Sequence, residues 1–471
     1  MLKINNSIRP PDLLPAVERL FELSAQKIRS IEDSWDSQRG TPVFTVAGRY
    51  TVRGWTEWTR GFQFGAALLQ FDATDDRAFL NIGLQGTLKH MAGHVSHTGV
   101  HDHGFNNVST YGNLLRLIRE KRIEDDGTGY VETCRLALRV SGAVQAARWT
   151  ALPDQLGFIP SFNGPHSLFI DTLRSLRSLA LAHSLGHVLM GEQDEKISLL
   201  TRLLQHAETT ARFTVYWGEG RDGYDVRGRT SHESIFNIRN GSFRCPSTQQ
   251  GYSPFSTWTR GLAWAVLGYA EQLEYLAKLP EAAFECDPGI YGADRQRWLR
   301  RFLTAAAATA DHFLECAATD GIPYWDNGAP GLAALTDWAA KPADPYNDYE
   351  PVDSSAAAIA AQGLLRLGRY LNDNGEDEKG QRYIRAGLTV AQTLFQEPYL
   401  STDDNHQGLI LHSVYHRPNG WDHIPAGQKV PCGESSMWGD YHARELALLI
   451  LRLAQGQPYY DFFTAVLGAE K

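Results

Sequence analysis

Apolar residues return at helical spacing in about twelve separate segments of this chain, and that repetition limits its fold more than any other feature. In the first segment Leu13, Val17, Leu20, Phe21, Ile28 and Ile31 recur three or four apart over 12–34, with Pro15 tolerated in the opening turn. The same spacing predicts helices over about 57–71, 75–93, 108–120, 131–147, 167–189 and 194–215. A long eighth helix follows Trp258, and four more are predicted over 294–317, 353–371, 379–395 and 439–455. Strand-like patterns are confined to short pieces such as PVFTV (42–46) and YTVRG (50–54). Trp55 and Trp58 precede the second helix, and a turn at Asp126-Gly127 precedes the fifth.

Twelve helices joined by alternately short and long connections, with no strict sequence repeat, fit six helical hairpins closed around an axis: an all-α (α/α)6 barrel. Small-residue segments such as SSAAAIAAQGLL (354–365) suit a crowded inner ring, although core helices of another α fold would also use them. A chain of 471 residues has the length of two or three domains. No Gly/Ser-rich or charged linker divides it, so one domain over 1–471 is expected.

The net charge of −9, with scattered Lys and Arg, argues against nucleic acid or an anionic membrane as partner. Cys134, Cys245, Cys286, Cys316 and Cys432 stand far apart and are odd in number, so neither a zinc site nor a disulfide framework is expected. MLKINNSIRPPD has no apolar leader character and no run approaches ~18 apolar residues, which makes a cytoplasmic location the expectation.

The chemistry concentrates in QQGYSPFSTWTRGLAW (249–264). Indole faces of Trp258 and Trp264 stack on sugar rings, glutamine amides pair with hydroxyls, and the Arg260 fork suits a carboxylate. A core helix with a capping serine is the competing reading. Asp102 lies in VHDHGFNN beside a glycine and just ahead of a helix, where it is either a functional carboxylate, a helix cap or part of a histidine metal cluster. His101 and His103 lack a third ligand at metal spacing, so no metal is expected. Asp171 lies in SLFIDTLRSLRSL among Phe169, Ile170, Leu173 and Leu176, a setting that raises a carboxyl pKa and suits a general acid. An ion pair with Arg174 or Arg177 is the alternative. His232, in RTSHESIF, is a loop hydrogen-bonder or a site residue.

Taken in order, WTRGF (58–62), HDHGF (101–105), ID (170–171), QGYSPFSTWTRGLAW (250–264), PYWD (323–326), DSSAAAIAAQGLL (353–365), LHSVYH (411–416) and WGDY (438–441) resemble the unsaturated glucuronyl hydrolases of glycoside hydrolase family 88. The resemblance implies an (α/α)6 barrel that removes the 4,5-unsaturated uronic acid left by polysaccharide lyases at the non-reducing end of glycosaminoglycan-like oligosaccharides. It implies Asp102 and Asp171 as the general acid and base, His232 and Gln250 as substrate-binding residues, Trp58 and Trp264 as aromatic platforms, and Arg260 as the motif arginine. No metal, nucleotide or redox cofactor is implied, and the oligomeric state stays open. The nearest alternatives are an unsaturated rhamnogalacturonyl hydrolase, a toroidal polysaccharide lyase and a noncatalytic sugar-binding protein. Three departures from the family pattern are expected to border the cleft: His103, the extended loop GFIPSFNGP, and PAGQKVPCGESSMWGD.

Overall fold

The structure is a computed structural model and describes residues 1–54, 57–124, 127, 129–285 and 291–464; Trp55, Asp126 of the expected turn and Cys286 lie outside the described residues. Twelve α-helices form the body among the described residues. They are α1 (Leu14–Ser34), α2 (Arg60–Thr74), α3 (Arg77–His90), α4 (Asn113–Arg119), α5 (Tyr130–Ala147) and α6 (Arg177–Ser184). The second half supplies α7 (Leu199–Phe213), α8 (Thr259–Lys278), α9 (Arg295–Cys316), α10 (Ser354–Asp373), α11 (Asp377–Leu394) and α12 (Met437–Gln455).

Even-numbered helices make the inner ring. α2 packs on the π turn Val108–Gly112 that opens α4, the turn His103–Asn106 meets the Thr172–Ser175 segment that leads into α6, and that segment packs on α8. α8 packs on α10, α10 on α12, and α12 on α2, which closes the ring. Odd-numbered helices lie outside, α3 on α2, α5 and α7 on α6, α9 on α8, α11 on α10, and α1 against α12 and α2. This is the (α/α)6 barrel expected from the periodicity.

Small residues let the inner elements approach. A Cβ added at Gly363 of α10 would lie 2.7 Å from the Leu267 nitrogen of α8, and one at Gly268 would lie 2.9 Å from Leu173. Glycine is therefore required at these crossings. Ala356, Ala357, Ala358, Ala360 and Ala361 of α10 are all buried in the same ring.

The inner helices also run in one direction. Trp58, Asp102, Asp171 and Trp258, each at or just before the start of an inner element, line one cavity. Arg119, Lys278 and Asp373, at the finishing ends of α4, α8 and α10, line a basin at the opposite end. Asp353 starts α10 by accepting the Ser355 N–H at 3.1 Å, and Ser436 starts α12 by accepting the Gly439 N–H at 3.1 Å.

One predicted element changes identity. Residues 167–189 do not form a continuous helix: Ser167–Phe169 is a strand paired antiparallel with Glu233–Phe236, which pairs in turn with Phe243–Ser247. A short apolar run reads as helix or strand equally well, and here a partner more than sixty residues away decides. Asp171 consequently stands at a strand-to-helix junction instead of inside a helix. The connection 216–253 supplies the other two strands. Cys134, Cys245, Cys316 and Cys432 are unpaired, and no described helix is long and apolar enough to cross a membrane.

Candidate active site

The two sequence-predicted aspartates are brought together by a glycine contact. The Gly104 N–H donates to Ser175 Oγ at 2.9 Å, and a Cβ at Gly104 would collide with the Ser175 backbone. Ser175 Oγ donates in turn to the His101 carbonyl at 2.6 Å, and Gln145 Nε2 donates to the same carbonyl at 2.9 Å. The 101–105 turn is thus pressed onto the segment that follows Asp171. From the other side, the Ile170 N–H donates to the His232 carbonyl at 3.0 Å and continues the sheet up to Asp171.

Asp102 begins the short His103–Asn106 helix without any side-chain cap bond, so its carboxylate is left to the cavity. Between the two acids sits His101, with Nε2 3.1 Å from Asp171 Oδ1 and 3.6 Å from Asp102 Oδ1. Each carboxyl side chain is 11% exposed, which is contact with the cavity and little else. Arg174 and Arg177 do not pair with Asp171; they turn to Glu271 and Glu445 inside the barrel.

The charge states differ from the expectation. Burial pushes the Asp171 carboxyl up, but the charge and hydrogen bond of His101, with His232 and Arg260 beyond, outweigh it and hold its pKa below the ordinary value. Asp102 is the raised acid, through burial and the nearby Asp171 charge, which together exceed the pull of His101. Apolar neighbours in sequence pointed to a raised Asp171; the histidine seventy residues upstream reverses the sign.

Arg260 is held on several sides by the protein. Its guanidinium is 1% exposed and donates to Asp353 Oδ2 at 2.8 Å, Gln250 Oε1 at 2.7 Å, and the Val414 and Tyr415 carbonyls. It lies over the rings of Trp258 and Trp438, at 4.6 and 5.0 Å. With its fork engaged by protein acceptors it organises the wall of the cavity it lines and orients Gln250. Gln250 is half-buried, and with Oε1 held by Arg260 its amide NH2 is the part available to a ligand.

Of the expected platforms, Trp58 is half-exposed and stacks on Trp438 at 5.0 Å, while Trp264 is 1% exposed and packs against Phe105 and His442. Trp264 is therefore a wall residue whose removal would hollow the barrel. His232 does not line the cavity. Its Nδ1 accepts the Gln249 N–H at 2.8 Å, burial lowers its pKa to about 4, and as a neutral ring it fixes the Gln249-Gln250 turn from behind.

Of the three departures expected at the cleft, only the 157–165 loop reaches it, through Phe162. His103 is buried and bonded to Ser141 Oγ and the His97 carbonyl, and Glu434 of the 425–440 segment binds the Ala47 N–H. The motif carboxylates Asp326, Asp353 and Asp440 likewise serve the scaffold: Asp326 accepts the Tyr252 N–H at 2.8 Å and Asp440 accepts the Leu409 and Ile410 N–H groups. Phe105, Phe162, Phe169, Gln249, Tyr415, His416, Asn419 and Trp421 complete the lining. The aromatic pieces GFIPSFNGP and LHSVYH had marked Phe162 and Tyr415, but nothing in sequence marked Asn419 or Trp421.

The cavity measures about 150 Å3. Among the described residues no group of three His, Cys, Asp or Glu is arranged to hold a metal.

An aromatic-walled cavity with two buried carboxyls, set at the starting ends of an inner helix ring, defines a glycoside hydrolase on the (α/α)6 barrel. The chain is a homologue of the unsaturated glucuronyl hydrolases. It is 27% identical to the unsaturated glucuronyl hydrolase of Bacillus sp. (strain GL1) over 428 residues, 88% of this chain and 90% of that protein. It is 24% identical to the unsaturated chondroitin disaccharide hydrolase of Streptococcus agalactiae serotype III (strain NEM316) over 451 residues, 91% of this chain and 90% of that one. The crystal structure of the Bacillus sp. GL1 enzyme superposes with a TM-score of 0.67, at 24% identity, covering 94% of this chain and 97% of its own. No family model matches the chain.

Proposed function

We propose that this enzyme removes the 4,5-unsaturated glucuronyl residue from the non-reducing end of lyase-generated, glycosaminoglycan-like oligosaccharides by hydrating the C4=C5 vinyl ether. The observation that carries the reading is the aromatic-walled cavity with Asp102 and Asp171 on either side of His101. Buried carboxyls at the base of an aromatic-walled cavity suit a terminal residue, whereas a lyase that works along a polymer requires an open cleft.

In this reading the unsaturated ring lies against Trp58 with Gln250 donating to its hydroxyls. Asp171 protonates C4, water adds at C5, and the Asp171 carboxylate takes the proton released by that water. The C5 hemiketal opens, and collapse at C1 releases the aglycone. Asp102 supplies negative charge, which raises the proton affinity of Asp171 and stabilises cationic character at C5. Because water attacks C5, the carboxylate-separation rule that distinguishes retaining from inverting glycosidases does not apply.

The continuous core from Leu2 to Phe463 supports residues 1–471 as one catalytic domain, and the unpaired described cysteines fit a cytoplasmic location. The test is ultraviolet absorbance of lyase-digested chondroitin or hyaluronan oligosaccharides. Loss of the C4=C5 chromophore, in step with release of the shortened sugar, is expected. A rise would indicate a lyase, and binding without change a noncatalytic protein; either sinks the reading.

A further inference from the structure

We infer that His101 holds the proton that Asp171 delivers, so that the acid of the reaction is the hydrogen-bonded Asp171–His101 pair and not Asp171 alone. The inference rests on the reading of Asp171 as the group that protonates C4.

The geometry allows the ring little else. His101 is 2% exposed, stacked at 6.1 Å on Phe162 and edge-on at 5.5 Å to Phe169. Its backbone carbonyl is clamped by Ser175 and Gln145, so the side chain pivots from a fixed point. Nδ1 is buried with no hydrogen-bond partner among the described residues. Nε2 faces carboxylate oxygens; in the protonated ring both nitrogens carry hydrogen, the Nε2–H bond to Asp171 Oδ1 is the exit, and Nδ1 keeps its hydrogen when the proton leaves.

The charged and titratable groups facing the ring are Asp102, Asp171, Arg148, His103 and His206. Burial lowers His103 to about 4 and His206 to about 3, which leaves both neutral and Arg148 as the one opposing cation in that set. Burial disfavours charge on His101 too, but Asp102 and Asp171 outweigh it and raise its pKa, while that of Asp171 is lowered. Before substrate arrives the proton rests on the imidazole.

The arriving uronate brings further negative charge to the cavity and favours transfer. The Nε2–H bond breaks and an Oδ1–H bond forms, leaving neutral imidazole and neutral Asp171. That acid gives its proton to C4, where the C4=C5 electron pair forms the new C–H bond. The water adding at C5 returns a proton to the Asp171 carboxylate, and from there it passes back to Nε2. One water is added and the pair is restored.

His101 is thus a positioning residue acting through Asp171, and its test needs readouts that a packing role would not move. In histidine-labelled protein, NMR titration should place His101 above the ordinary histidine value of about 6.5, and the value should fall in Asp171→Asn. A value at or below the ordinary one, unchanged by Asp171→Asn, overturns the inference whether or not any His101 variant folds. Kinetically, His101→Gln should lower kcat at least ~10²-fold and remove or displace the alkaline limb of the kcat profile. A His101→Gln enzyme with wild-type kcat, or with reduced kcat and an unmoved profile, overturns the inference. If Asp171→Asn is inactive in that same case, the reading of Asp171 survives; if both variants turn over normally, that reading falls as well.

Discussion

Where the inner helices finish, Glu274 meets Arg366 at 2.7 Å, Asp461 meets Lys278 at 2.8 Å, and Glu120 is held by Arg116 and Arg452. Midway, Glu445 is held by Arg174 at 3.0 Å with Arg177 beyond, and its pKa lies far below the ordinary range. Where the helices begin, two aspartates share one histidine. Buried carboxylates alone therefore do not mark a site in this barrel. What separates the ends is the number of cations per carboxylate: the finishing end is neutralised pair by pair and is scaffold, and the starting end is left short of positive charge and retains a transferable proton.

The strongest way to break this comparison is to treat a scaffold carboxylate as the aspartates are treated. Glu445→Ala leaves Arg174 buried with one fewer partner and also removes the nearer of the two acceptors of the Tyr460 hydroxyl, so a destabilisation of about 3–5 kcal/mol is expected by thermal or denaturant unfolding. A melting temperature close to wild type would show that the interior pairs are not structural. Trp264→Ala belongs with the scaffold by burial, although it lines the cavity, and should cost about 3–5 kcal/mol as a core truncation.

Gln250→Ala tests the cavity face. It should lower kcat/KM about tenfold, equivalent to about 1.4 kcal/mol, with a smaller loss of stability than Trp264→Ala. The reverse ranking would move Gln250 into the scaffold.

The smallest effects are in pH-dependent stability, where the aspartates should have opposite signs. The folded pKa of Asp171 is lowered, so its contribution is present above the unfolded value of about 3.9 and is lost as pH falls through the folded value. Asp171→Asn should be less stable than wild type at neutral pH, with the gap closing on acidification. Asp102 is raised, so its favourable contribution is full below about 3.9 and disappears as pH rises through the folded value. Asp102→Asn should accordingly be more stable than wild type at neutral pH, and the two should converge in acid. Equal signs in paired unfolding curves would contradict the assignment of charge.

The barrel was legible because helix periodicity is local: residues three and four apart report a face without knowledge of the partner. The 167–169 strand was not, because its register depends on 233–236. The same limit applied at the site. Asp102 and Asp171 were found from their immediate context, but the charge on Asp171 is set by His101, and the fork of Arg260 is filled by Asp353, ninety-three residues on, and by the Val414 and Tyr415 carbonyls.

The most direct test is the Asp171→Asn enzyme on an unsaturated glucuronyl disaccharide, following loss of ultraviolet absorbance and, separately, disaccharide binding. Asparagine keeps the shape of the side chain but cannot cycle a proton. A kcat reduced at least ~10²-fold, with binding retained, is the predicted result; near wild-type turnover would contradict the account.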